Sequence, residues 1–291
     1  MEIDEISVLG GFARTGEREP VERLDMRMGD VVSIVGPTGS GKTALINDIA
    51  LFADANTPSR RRVLVNGEPP PAIFQEDPSH NPIALITQHT TFLSDLPVRK
   101  FLGIHARIRG SARQSSIVEE TLAFANELTG EPIIEDEAMT ELSGGQTRAL
   151  LLADAVVIGN SPIILLDEIE NAGIDRMRAL QLLKRYRKIF VFVTHDLRIT
   201  LLSDYRVVLL RGAMRSIVTR NDEERRVAER IGRLDAIMVG MRNRLRDGER
   251  LTEAELLEPL RQSIEAGPLP DGDAFEQMRH EIEAATAPHQ P

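Results

Sequence analysis

The chain has 291 residues, 42% of them hydrophobic, enough for one large α/β domain with an appendage and a buried core. A formal net charge of −10 argues against general binding of polyanions such as nucleic acid, and the absence of cysteine excludes disulfides and cysteine-ligated zinc. No run of 18 apolar residues exists, so a membrane role has to come through a partner; the acidic start Met1 to Glu5 lacks the basic-then-apolar pattern of a secretory signal, and a cytoplasmic location is the expectation.

Phe12 is the one aromatic residue before position 36, and Gly10 and Gly11 beside it predict an irregular segment. Val31 to Val35 is a β-branched apolar run that ends at Gly36, Pro37, Thr38, Gly39, Ser40, Gly41, Lys42 and Thr43, after which the spacing is helical to Ala50. Strand, glycine-rich turn and helix form a phosphate-binding loop. The glycines let backbone N–H groups converge on phosphate oxygens, the helix N-terminus favours an anion, Lys42 adds a point charge, and Thr43 is placed to put its hydroxyl on Mg²⁺.

Arg60, Arg61 and Arg62 read as a solvated hairpin edge, with contact to phosphate or lipid as the alternative. Val63 to Gly67 reads as a short strand closed by an Asn-Gly turn, and Ala84 to Thr87 as a buried strand that delivers Gln88. From His89 to Thr140 the periodicity is helical, with Val98, Phe101, Leu102 and Ile108 on one helix and Ile117, Leu122, Ala125 and Leu128 on another. The next helix opens at Leu142-Ser143-Gly144-Gly145-Gln146. Ser143 is a natural N-cap there, and the glycines behind it allow close approach of an anion, so the segment is either a second phosphate site or a plainly capped helix.

Ile163 to Leu166 is apolar on both faces and fits a central parallel strand; Asp167 and Glu168 follow at its carboxyl end, where open α/β sheets place ligands. Asp167 suits a Mg²⁺ ligand and Glu168 a general base for water. A second apolar strand, Ile189 to Val193, delivers Thr194-His195-Asp196 to the same end of the sheet, and Arg206 to Val218 reads as a closing hairpin. Beyond it, Asn221 or Asp222 caps a helix whose Val227, Ile231, Leu234, Met238, Met241 and Leu245 fall near one face. Thr252 to Glu255 caps another, with an interruption expected at Pro259, and a third is expected from Asp273. This extension packs on its own domain or serves dimerisation or a partner.

The order and content of these strings resemble those of ABC-type ATPases, from about Ile6 to about Val218. The resemblance implies a P-loop NTPase (RecA-like) core in residues 1–88 and 142–219, an α-helical subdomain inserted at 89–141, and a helical C-terminal extension in 220–291. It implies Mg-ATP, with Thr43, Gln88 and Asp167 toward the metal, Glu168, Gln88 and His195 in catalysis, and Phe12 stacked on adenine unless it belongs to the core. Asp175 falls in a segment like the family's interface loop. Ser143, Gly144, Gly145 and Gln146 then close on the nucleotide of a second protomer, in a homodimer or a heterodimer of cassettes.

Phe92 to Val98 resembles the segment that transporter cassettes present to a separate transmembrane subunit, which would hold the chain at the inner face of the membrane. Ile169-Glu170-Asn171 departs from the transporter pattern, where proline follows the Asp-Glu pair, and is closer to soluble members such as SMC proteins or the ATPase of iron–sulfur cluster assembly. Transport, soluble assembly or remodelling work, and nucleotide-gated binding without turnover are the three functions this pattern allows. The filled catalytic positions speak against the last.

Overall fold

A computed structural model describes residues 2–87, 89–110, 114–167 and 176–265. Three antiparallel strands, β1 (Glu5–Leu9), β2 (Arg23–Arg27) and β4 (Arg62–Val65), form a small sheet in the order β2-β1-β4. Its residues alternate: Leu24 and Met26 of β2 are buried while Arg23, Asp25 and Arg27 face out. The main sheet runs β5-β6-β7-β3-β8-β9, from β3 (Val31–Val35), β5 (Ile83–Ile86), β6 (Ile163–Asp167), β7 (Ile189–Val193), β8 (Tyr205–Leu210) and β9 (Ala213–Thr219). All neighbours in it are parallel except the β8–β9 hairpin. The buried, predominantly apolar strands β3, β6 and β7 lie in its interior because only there are both faces covered.

The helices divide between the two faces. α1 (Lys42–Ala50) places Leu45, Ile46 and Ile49 in one core with Ile163, Leu165, Val191 and the small sheet. On the other face Ile164, Leu166, Phe190 and Phe192 meet α3 (Val98–Ile108), α4 (Gln114–Leu128), α5 (Gly144–Val156) and α6 (Arg176–Arg185). α2 (Ile73–Glu76) is a single turn and α7 (Leu197–Leu202) less than two. The alternation of a strand thus sorts each side chain to one core or the other.

Three expectations for residues before Thr219 need correcting. β5 is half-buried because it lies at the sheet edge with β6 on one side only. Ile108 is 73% exposed, since α3 ends there and its buried face is Val98, Leu102 and Ala106. The solvated edge expected at Arg60 to Arg62 fails at Arg61 alone, since Arg60 and Arg62 are exposed. Arg62 pairs with Asp54 at 3.3 Å, whereas Arg61 is fully buried.

Arg61 joins segments remote in sequence. Its Nε and one terminal nitrogen donate to the two carboxylate oxygens of Glu19 at 3.0 and 2.6 Å, the other nitrogen donates to Asp48 of α1 at 2.9 Å, and a further bond reaches the Gly212 carbonyl at 2.8 Å. Glu19 in turn accepts from the Gly11 and Met214 amides, and Asp48 from the Ser59 hydroxyl. Burial pulls the guanidinium pKa down, but Glu19 and then Asp48 more than offset it, so the charge is held.

The chain separates into two compact units, Met1–Thr219 and Arg220–Pro291. In the second, α8 (Asp222–Arg246) is capped by Asn221, which accepts from the Glu224 amide at 2.8 Å. α9 (Glu253–Glu265) continues through Pro259, contrary to the expected interruption. Its first turn is secured by the reciprocal Thr252–Glu255 cap and by Arg244, which binds Glu255 and Glu249 at 2.6 Å each, so the loss of one N–H at Pro259 is tolerated. The stripe Val227, Leu234, Met238 and Leu245 stays exposed, while Ala228, Gly232 and Ile237 are buried. The helix expected from Asp273 lies outside the described residues.

Replacing Arg61 with Met leaves two carboxylates buried without their cation, and should destabilise the protein by about 3–5 kcal/mol in denaturation experiments. Adding Glu19→Gln and Asp48→Asn should recover part of that loss; a single variant as stable as the parent would show the network to be dispensable. Because no residue assigned to chemistry lies beyond Thr219, a chain ending there should retain Mg-dependent ATP binding, measured by calorimetry. Normal circular dichroism with no binding would place part of the site in the extension.

Candidate functional site

The loop after β3 is built against the β8–β9 turn. Gly36 has φ 154°, and a Cβ there would come within 2.3 Å of the Leu209 carbonyl oxygen. Gly41, at φ 102°, would meet the Gly212 Cα at 2.9 Å, so neither position admits a side chain. The Gly212 amide also donates to the Ser40 carbonyl at 2.8 Å. Lys42, nearly buried, donates from Nζ to the carbonyls of Gly36 and Pro37 at 3.0 and 3.3 Å, which puts its ammonium inside the curve of the loop. Ser40 Oγ is buried and has no hydrogen-bond partner among the described residues. An enclosed ammonium, a buried hydroxyl with unused bonding capacity and the orphan amides that begin α1 together fit a polyphosphate. Pro37, Thr38, Gly39 and Thr43 lie at the surface of the same loop.

The register of the sheet brings the acidic and imidazole groups to this loop. Ile34 of β3 pairs with Val193 of β7, and Val193 pairs with Asp167 of β6. Asp167, the approach to His195 and the loop therefore leave the carboxyl ends of three adjacent parallel strands, each about 4.8 Å from the next. Thr194 Oγ1 accepts from the Asp196 amide at 2.9 Å, and Asp196 caps α7 by accepting from Arg198 and Ile199, which fixes the backbone on both sides of an exposed His195. Gln88, Glu168 and Asp175 lie outside the described residues, so their expected roles rest on sequence position.

Phe12 is half-buried, and its amide donates to the Ser59 carbonyl at 2.7 Å. With Gly41, Ala44, Ser59 and Arg60 it lines a cavity of about 560 Å³ that adjoins the phosphate loop. Ser143 sits elsewhere. Its side chain accepts from the Gln146 amide while Gln146 reaches back to the Ser143 amide at 2.9 Å, a complete capping box at the start of α5. Ser143 and Gly144 are exposed, and Gly145 and Gln146 half-buried. α5 packs on the face of the sheet opposite α1. The two helix N-termini capable of holding phosphate thus head elements on opposite faces of one sheet.

Sequence reasoning missed the Arg61 network behind the loop. One signal was available: Asp48 falls between Leu45 and Ile49 on the apolar face of α1, and a carboxylate on a core face needs a partner.

The ABC transporter family pattern matches residues 22–171. An uncharacterized ABC transporter ATP-binding protein of Methanocaldococcus jannaschii is 45% identical over 256 residues, covering 88% of this chain and 98% of that protein. That alignment is longer than the Met1–Thr219 unit and so reaches into the extension. A spermidine/putrescine import ATP-binding protein of Bacteroides fragilis is 30% identical over 74% of this chain, which spans 46% of that protein. Among solved structures, a dimeric cassette in a post-hydrolysis state with ADP and Pi aligns with TM-score 0.57 and 20% identity over 74% of this chain and 99% of that one. An ABC transporter cassette in its ADP conformation aligns at 0.54 and 22%, over 79% and 96%. The phosphate loop and the strand that carries Asp167 both lie within the matched pattern, and the chain belongs to the ABC transporter family as one of its ATP-hydrolysing, ATP-binding proteins.

Proposed function

We propose that the chain binds Mg-ATP at the Gly36–Thr43 loop and hydrolyses it to drive a separate membrane partner in transport. The observation that carries this reading is the meeting of that loop, Asp167 and the His195 segment at the ends of three adjacent strands. Bound Mg-ATP supplies the transferable phosphoryl group and a cation that offsets its charge. Thr43 and Asp167, with Gln88, would hold that cation, and Lys42 the phosphates. Glu168, one residue beyond Asp167, is the base that takes the proton of the attacking water, and His195 contacts the terminal phosphate and stabilises the charge that develops on it. Phe12 gives the adenine a stacking face.

The placement of Ser143 supports a composite site. Because α5 and α1 lie on opposite faces of the sheet, the Ser143 loop is best placed to serve the nucleotide of a second protomer. Glu168→Gln should lower turnover by about 10²–10⁴ while leaving ATP binding intact. In sedimentation with ATP it should also form a dimer that an added Ser143→Arg abolishes. Lys42→Ala should weaken binding itself. Wild-type turnover in Glu168→Gln would remove Glu168 from the role of base.

Transport is favoured by the relatives' names and by Leu93, which is 96% exposed beside Phe92, whose ring packs edge-on against Phe101 at 5.1 Å. An apolar side chain left in solvent next to an anchored one is the form of a docking knob. An integral membrane protein should therefore purify with the chain from its native membrane, and Leu93→Asp should release it. Recovery of soluble clients alone would favour the assembly role suggested by Ile169-Glu170-Asn171.

A further inference from the structure

Arg60 takes no part in the buried network of Arg61 or in the phosphate loop itself. It is exposed, yet its backbone is held in the left-handed region: φ is 54°, a conformation that suits glycine, and its amide donates to the Thr57 carbonyl at 3.0 Å. Both neighbours are anchored. Ser59 takes the Phe12 amide on its carbonyl and donates its hydroxyl to Asp48 at 2.7 Å, and Arg61 is locked in the buried network. An anchored backbone thus presents a long, exposed side chain whose guanidinium Cζ lies over the Phe12 ring, 5.8 Å from its centre. Arg60, Phe12, Gly41 and Ala44 line the same cavity next to the phosphate loop.

We propose that Arg60 is a base-clamping residue: a purine bound on Phe12 has its other face covered by the Arg60 guanidinium. The proposal rests on the reading of this cavity as the nucleotide site. A planar base between two faces at about 3.5 Å each needs a gap of roughly 7 Å, so the guanidinium has to move out by about 1 Å, within reach of an exposed side chain. A planar cation lies well on the electron-rich face of a base or an aromatic ring, as it lies on Phe12 in the structure. The contact is to the base and not to the phosphates, which separates Arg60 from Lys42.

The test compares the full-length chain with Arg60→Ala and Arg60→Gly in calorimetry, using Mg-ATP, Mg-ADP and, as a base-free probe, inorganic tripolyphosphate. Both variants should bind ATP and ADP about 5- to 20-fold more weakly and tripolyphosphate as the parent does. Arg60→Gly suits the left-handed backbone and should melt no lower than the parent, so its loss of affinity cannot be ascribed to unfolding. Unchanged ATP affinity, a gain in affinity, or equal losses for ATP and tripolyphosphate would each overturn the clamp. Failure of the parent chain to bind either ligand would instead remove the nucleotide site on which the clamp depends.

Discussion

The buried guanidinium of Arg61 is the constraint on which the ATP-binding lobe depends. It ties Glu19 from the segment between β1 and β2, Asp48 from α1 and the Gly212 carbonyl from the β8–β9 turn into one cluster. Gly212 is the residue against which Gly41 is pressed and whose amide holds the Ser40 carbonyl. The shape of the phosphate loop is therefore set from behind, through a turn about 170 residues away in sequence. Desolvating three charges is expensive, and it is tolerated here because each carboxylate carries further donors: Gly11 and Met214 on Glu19, and Ser59 on Asp48. Such a cluster favours one geometry over many, which suits a loop that has to meet phosphate without rearranging.

The same sheet keeps its chemistry divided. One face carries α1 and the small sheet, the other the helical lobe headed by α5. On our reading each chain is thus a pair of half-sites that cannot meet within itself, and ATP becomes the cement between two copies. The strand ends that carry Asp167 and lead to His195 sit between these layers, so a shift of one lobe relative to the other is felt where the terminal phosphate would lie.

Much of this was legible in the sequence, for local reasons. The glycine-rich loop, the Ser143 cap, the apolar strands β3, β6 and β7 and the closing hairpin are each fixed by residues within a few positions of one another. What escaped was non-local. Three consecutive arginines read as a solvated run, and only the fold reveals that Arg61 faces inward to Glu19, Asp48 and Gly212 while Arg62 faces out to Asp54. β5 looks like any buried strand until the sheet order places it at the edge. Pro259 reads as a break because the pattern cannot weigh one lost hydrogen bond against the Arg244–Glu255 pair that holds the turn before it.

The edges of the main sheet have a consequence for how copies of the chain behave in a crowded solution. β5 is four residues long and follows Pro82, which has no amide to offer. At the opposite edge β9 pairs with β8 through a register shift at Val208/Leu209 and shows Arg215 and Ser216 to solvent. A short strand, a proline, a bulge and an outward arginine are all poor templates for another strand. Two such sheets do not readily fuse edge to edge into a continuous ribbon, so the main sheet offers a poor template for fibrous aggregation.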